Sequence, residues 1–416
     1  MNKVIIKKTN YFIFVLISLV LWGYLVSIAN NLRPIADEIC ALTEWDSQKN
    51  YLPFHLSSRF LATGFTWLSS LIWINSYLLG ILANWLSVLF LTGLLFKNIY
   101  SLIDHEINKK ESILYGFLFT PILILFVPTN VSAIYDTFLW FGGTWHAVGT
   151  LLLLNAGCAI INRKTSYGRL AAYTLIVSLW SETTAICLVA PLLLRFFFIE
   201  KKRVRTSLLF VMPLSATFVN LIVSAQSGRM EAIKKDSYFD FNNFLGVTYM
   251  SGPLFLRGLI MSALIFSAID FVSPRLIPIN HKTVKVIILY LAGTCLLLLV
   301  TQYMTYGTWR ASILYALSGI LIGFILVEIR ILNRTVSGLL SLLFFLLISA
   351  QVLPGLVSLN NYVENRNNWW TTNLIREGAS KNLIETEEEY REHLPADFGG
   401  GAWINDCFQD LVKIAK

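Results

Sequence analysis

Few side chains in this 416-residue sequence could do chemistry, and most fall in a handful of short stretches. Asp37 and Glu38 stand side by side in Ala36-Asp37-Glu38-Ile39-Cys40, shortly after the first apolar segment. Two adjacent carboxylates held just outside a bilayer suit proton abstraction, metal binding or cation recognition. A carboxylate at a partly desolvated boundary becomes a better base near neutrality. The alternative is a solvated loop pair or a helix N-cap. Glu182, in Trp180-Ser181-Glu182-Thr183-Thr184, interrupts an apolar stretch. An ionisable group at membrane depth is costly enough to suggest a role, although a carboxylate bonded to a helix end or exposed at a turn needs none.

Trp140-Phe141-Gly142-Gly143-Thr144-Trp145-His146 offers flat rings on which a sugar can stack and glycines that admit close backbone approach. An interfacial aromatic belt accounts for the same residues equally well. Arg229, in Gln226-Ser227-Gly228-Arg229, and Arg310, which follows Trp309, carry guanidinium forks that match phosphate. Snorkelling to lipid headgroups is the alternative for both. Arg59 and Trp309 complete the substrate-binding candidates, with Trp140, Trp145, His146 and Glu182.

The elements that must position these residues are apolar. The chain is 56% hydrophobic and 14% charged, with a mean hydropathy of +0.62. A soluble domain carries about a quarter charged residues, so this chain lacks the polar surface to face water all round. Repeated apolar runs near the bilayer-spanning length predict an all-α polytopic membrane protein with about nine to eleven transmembrane helices. The net charge of +8 is dispersed in short clusters between apolar segments. That is the positive-inside pattern, not a nucleic-acid patch, and no nucleic-acid partner is expected. Lys3, Lys7 and Lys8 argue for a cytoplasmic N-terminus on an uncleaved anchor.

Spans are expected at residues 11–28, 112–126, 146–161, 206–224, 254–271, 286–300, 311–327 and 336–353, with one more running up to Leu95 and ending at Lys97. They form a transmembrane domain over residues 1–353, followed by a periplasmic tail over 354–416. Residues 30–66 make the first periplasmic loop, and residues 54–70 read as an amphipathic helix lying along the interface. Residues 169–200 are flanked on both sides by basic clusters, so they must enter and return. A re-entrant hairpin or two short helices turning near Ser181-Glu182 fits that constraint. No internal repeat is visible, which weighs against an inverted-repeat transporter. The five cysteines form no CxxC pair; Cys158, Cys187 and Cys295 read as small core residues, while Cys40 and Cys407 on the outer side could pair.

The acidic pair after the first span, the outer loop with its amphipathic stretch, some ten helices and an outer tail together resemble the GT-C membrane glycosyltransferases. More narrowly, the length, the topology, two large outer loops and the hairpin are similar to the serotype-converting O-antigen glucosyltransferases of Shigella and their temperate phages. The resemblance covers the whole chain in architecture and has Ala36-Asp37-Glu38 as its motif. It implies a multi-pass bacterial inner-membrane hexosyltransferase. Such an enzyme takes a sugar, glucose in the narrower family, from undecaprenyl phosphate and attaches it to O-antigen of lipopolysaccharide or a related polysaccharide on the periplasmic face. Asp37 would be the general base on the acceptor hydroxyl, with Glu38 orienting it or binding the acceptor.

Arg229 and Arg310 are assigned to the donor phosphate from chemistry and topology. The expected partners are the undecaprenyl-phosphate-linked donor, the polysaccharide acceptor and membrane lipids. No cofactor is required, because the leaving group is already an activated phosphate. A divalent metal could assist at Asp37, Glu38 and Asp46, but no ligand spacing enforces one, and no metal ligand is assigned. A lipid-linked sugar flippase, an O-antigen polymerase, an acyltransferase-like modifier and a structural subunit of a polysaccharide assembly are the competing readings.

Overall fold

The structure is a computed structural model that describes residues 2–31, 60–102, 108–126, 135–139, 141–200, 203–226, 254–256, 258–260, 281–304, 313–328, 357–361 and 363–364. These residues are almost entirely helical, and no strand occurs among them. The main elements are α1 (Asn2–Asn31), α2 (Phe60–Asn75), α3 (Tyr77–Leu102), α4 (Lys109–Phe126) and α5 (Phe141–Ile161). They continue with α6 (Tyr167–Ser178), α7 (Glu182–Cys187), α8 (Val189–Leu194), α9 (Arg203–Gln226), α10 (His281–Met304) and α11 (Ile313–Glu328). Wide π-turns precede α5 (Tyr135–Leu139) and follow α8 (Arg195–Ile199). By length and composition, three stretches among the described residues could cross a membrane: Leu78–Leu102, Thr144–Ile161 and Glu182–Ile199.

The polar residues in these apolar helices are spent on tying helices together. In a helix, Pro121 cannot donate to the carbonyl of Phe117, four residues earlier. That freed carbonyl accepts Trp22 Nε1 at 2.9 Å and Ser18 Oγ at 3.1 Å, which binds α1 to α4. Between α3 and α4, Gly93 and Gly116 let the backbones close: a β-carbon on either would run into Ser112 or Leu89 carbonyl oxygen. Ser112 Oγ donates to Gly93 O across the same contact at 2.8 Å.

Helices α3 and α5 run in the same direction. Trp85 Nε1 donates to Phe138 O (2.9 Å) just before α5, Asn98 Nδ2 to Asn155 Oδ1 (2.8 Å) midway, and Asn162 Nδ2 to Ser101 Oγ (3.0 Å) at their far ends. Asn155 also donates to the carbonyls of Leu91 (3.0 Å) and Leu151 (2.8 Å), so its amide is fully used although no part of it reaches solvent. On the other flank of α5, the fully buried Tyr290 of α10 donates to Leu153 O at 3.3 Å, above Gly157.

Several sequence expectations move. The expected single helix ending at Lys97 is two helices, and the second continues to Leu102 with Lys97 exposed on its flank. The chain reverses at Ser76, whose hydroxyl accepts from Leu79 N at 3.4 Å as the N-cap of α3. Ser69 Oγ then meets Asn84 Oδ1 at 2.7 Å, a contact that a straight helix would hold about 22 Å apart. Residues 60–66, expected in the first loop, are therefore the opening turns of α2. Ala62 and Ser69 of that helix are buried, so α2 packs against the bundle where an interfacial helix was expected. Residues 336–353 and the tail beyond 364 lie outside the described residues.

Candidate functional site at the hairpin tip

Residues 167–199 form a hairpin whose two arms leave from and return to the same end of α5. At its base, the Tyr167 hydroxyl donates to Arg205 O (3.1 Å), and Arg195 Nη1 donates to Ile160 O (2.6 Å) and Asn162 O (3.2 Å). At the turn, Ser181 and Thr184 form a reciprocal capping box: Ser181 Oγ accepts from Thr184 N at 3.2 Å and Thr184 Oγ1 from Ser181 N at 3.1 Å. Thr184 Oγ1 also donates to Val177 O at 2.9 Å, which locks one arm to the other.

Three elements meet at the tip. Trp180 Nε1 donates to Trp145 O in α5 at 3.0 Å, and its indole lies directly over Gly149, where a β-carbon would strike the ring. Its other side packs on Phe65 of α2, with ring centroids 5.6 Å apart. The N–H of Leu61, in the first turn of α2, donates to the carbonyl of Leu179 at 3.0 Å. First-turn N–H groups have no partner within their own helix, so the hairpin tip completes the start of α2. Gly149 lies about 12 Å along α5 from Phe141. The tip therefore sits inside the bundle, well short of the helix end.

Three of the sequence candidates belong to this junction. Trp145 and His146 stack face to face with centroids 3.5 Å apart, each half-buried in the opening turns of α5. Glu182 is the first residue of α7, half-buried, where the helix N-terminus favours a carboxylate. Asp37, Glu38, Arg59, Trp140, Arg229, Trp309 and Arg310 lie outside the described residues, as do Cys40 and Cys407. Arg59 nevertheless precedes Leu61 by only two positions in the chain. Among the described residues no group of three or more His, Cys, Asp or Glu side chains could hold a metal ion; Cys158, Cys187 and Cys295 are free thiols.

Sequence reasoning passed over Trp180, Gly149 and Arg195, which hold the hairpin in place. A signal for Arg195 was available, since it is the one cation within an otherwise apolar arm. Trp180 directly precedes the Ser181–Thr184 cap, but nothing local says which helix its indole meets. Trp180, Trp145, His146 and Glu182 thus lie on the elements that meet at the tip. No family model, curated protein or solved structure matches the chain.

Proposed function

We propose that this chain is an integral-membrane glycosyltransferase of GT-C type, transferring a hexose from a polyprenyl-phosphate carrier to a polysaccharide on the periplasmic face of the bacterial inner membrane. The carrying observation is the docking of Leu61 and Phe65 on Leu179 and Trp180. Leu61 lies in the first turn of the helix into which the stretch carrying Asp37, Glu38 and Arg59 leads, and it docks on the junction that holds Trp145, His146 and Glu182. In this reading the acidic pair works together with a set of rings suited to a sugar.

In this reading Asp37 takes the proton of the acceptor hydroxyl as its oxygen attacks the anomeric carbon. The bond from that carbon to the phosphate oxygen breaks with inversion. Arg229 and Arg310 neutralise the departing polyprenyl phosphate, and Glu38 orients the base or the acceptor. Arg59, Trp140, Trp145, His146, Glu182 and Trp309 hold the sugar and the acceptor. The leaving group is an activated phosphate, so the protein need supply no second acid of the kind glycoside hydrolysis demands.

Asp37→Asn in proteoliposomes loaded with polyprenyl-phosphate-linked hexose and acceptor tests this reading. Loss of transfer at unchanged protein level supports it, and retained transfer removes Asp37 as the base. If the wild-type protein carries the lipid-linked sugar across the bilayer without forming a glycosidic bond, the chain is a flippase and the enzyme reading fails.

A further inference from the structure

The base of the hairpin, at the opposite end from the candidate site, has a chemistry that the proposed reaction does not use. Arg195 is buried, with Nε on Glu200 Oε2 at 3.1 Å and Nη1 on the carbonyls that end α5. Glu200 also accepts from Thr206 Oγ1, and the Tyr167 hydroxyl binds Arg205 O. These bonds join the end of α5, both feet of the hairpin and the start of α9 into one rigid plate.

The plate is bordered by positive charge. Arg163, Lys164, Arg169 and Arg205 are all exposed, and they come from two stretches of chain, the connection from α5 into α6 and the start of α9. Glu182 and Glu200 are the only acidic residues between positions 141 and 206. Glu182 is at the far tip, and Glu200 is already engaged by Arg195 and Thr206. Arg169 and Arg205 also lie in the first turns of α6 and α9, where the helix dipole disfavours a cation. Beside them Phe197 and Phe198 are 58% and 64% exposed. Sidedness of topology asks for cations between spans; it does not ask that two stretches of chain be tied together by the Tyr167–Arg205 bond next to two bare aromatic rings.

We propose that this plate is a binding surface for the anionic headgroups of the bilayer, with Arg163, Arg169 and Arg205 on lipid phosphates and Phe197 and Phe198 among the upper acyl carbons. A phosphate monoanion offsets the charge of Arg163, Arg169 and Arg205, two of them set against helix dipoles, and guanidinium forks hold it through paired bonds. The hairpin rests on the plate, so lipid binding steadies the element that reaches the candidate site. The inference needs only membrane insertion and stands whether or not the transferase reading holds.

The test reconstitutes the full chain in nanodiscs of phosphatidylcholine mixed with phosphatidylglycerol and measures the lipids retained on extraction by native mass spectrometry. Each headgroup-facing cation is worth about a five-fold preference for anionic lipid, so R163Q/R169Q/R205Q should lower the phosphatidylglycerol preference by about ten-fold or more. K97Q/K109Q/K110Q removes three exposed lysines outside the plate and should lower it by clearly less. R163K/R169K/R205K, which keeps the charge, should recover most of it and so excludes misfolding as the cause. Equal loss in the two glutamine triples, or no preference in the wild type, overturns the proposal. Competition by free inorganic phosphate as strong as by phosphatidylglycerol overturns it too, since the surface would then read phosphate and not a lipid.

Discussion

Gly149→Ala strikes the docking of the hairpin tip directly. A β-carbon at 149 would run into Nε1 and Cδ1 of Trp180, atoms of a rigid ring that is only 6% exposed. Alanine itself favours a helix over glycine by about 1 kcal/mol. Against that, displacing the indole forfeits the bond to Trp145 O, worth about 0.5–1.5 kcal/mol, and overpacking costs about 1–3 kcal/mol. The balance is a loss of roughly 1–3 kcal/mol, concentrated at the tip. At tenfold per 1.4 kcal/mol this raises the opening equilibrium of the turn by about five- to 150-fold. Hydrogen–deuterium exchange in nanodiscs should show it as lost protection at residues 179–184 and, through the shared hydrogen bond, at Leu61. Trp180→Val removes the ring, so adding Gly149→Ala to that background should cost nothing further. A tip as protected in Gly149→Ala as in the wild type, or the same penalty with the ring already gone, would refute the docking argument.

Other outcomes follow from the same packing. Trp22→Phe should destabilise the detergent-solubilised protein by about 1 kcal/mol through the lost bond to Phe117 O. The penalty should shrink in a Pro121→Ala background, where residue 121 can donate to that carbonyl again; thermal unfolding of the two backgrounds checks it. Asn155→Leu should cost about 1–3 kcal/mol because it strips Asn98 and two carbonyls of their partner. Asn98→Leu should cost about 0.6 kcal/mol, since Asn155 keeps its two backbone bonds; the reverse order in a thermal-shift comparison would contradict the assigned network. Glu200→Leu leaves the Arg195 cation buried without its counter-ion and should cost about 3–5 kcal/mol. Arg195→Met added to it should recover part of that loss, and a purely additive double variant would show that the pair is not coupled.

Much of the architecture was legible because bilayer physics acts locally. Every backbone group in an apolar run must find its partner nearby, so runs of this length are helices whatever surrounds them. Charge on both flanks was enough to say that residues 169–200 enter and return. The candidate site was legible only as residue types: Trp145, His146 and Glu182 could be named, but not joined.

What the sequence determined by itself is the helical, apolar class of this protein, the hairpin flanked by cations, and the short inventory of groups able to do chemistry. These follow from the composition of single stretches. Only the tertiary structure decided that α2 doubles back at Ser76, because Ser76 signals a helix start in any geometry and it is the contact of Ser69 with Asn84 that selects a reversal. It alone put Trp180 over Gly149 and Leu179 on Leu61, and the Arg195 guanidinium at the end of α5. Each of these joins residues far apart in the chain, and shape and hydrogen-bond closure select the partner where local sequence carries no information about it.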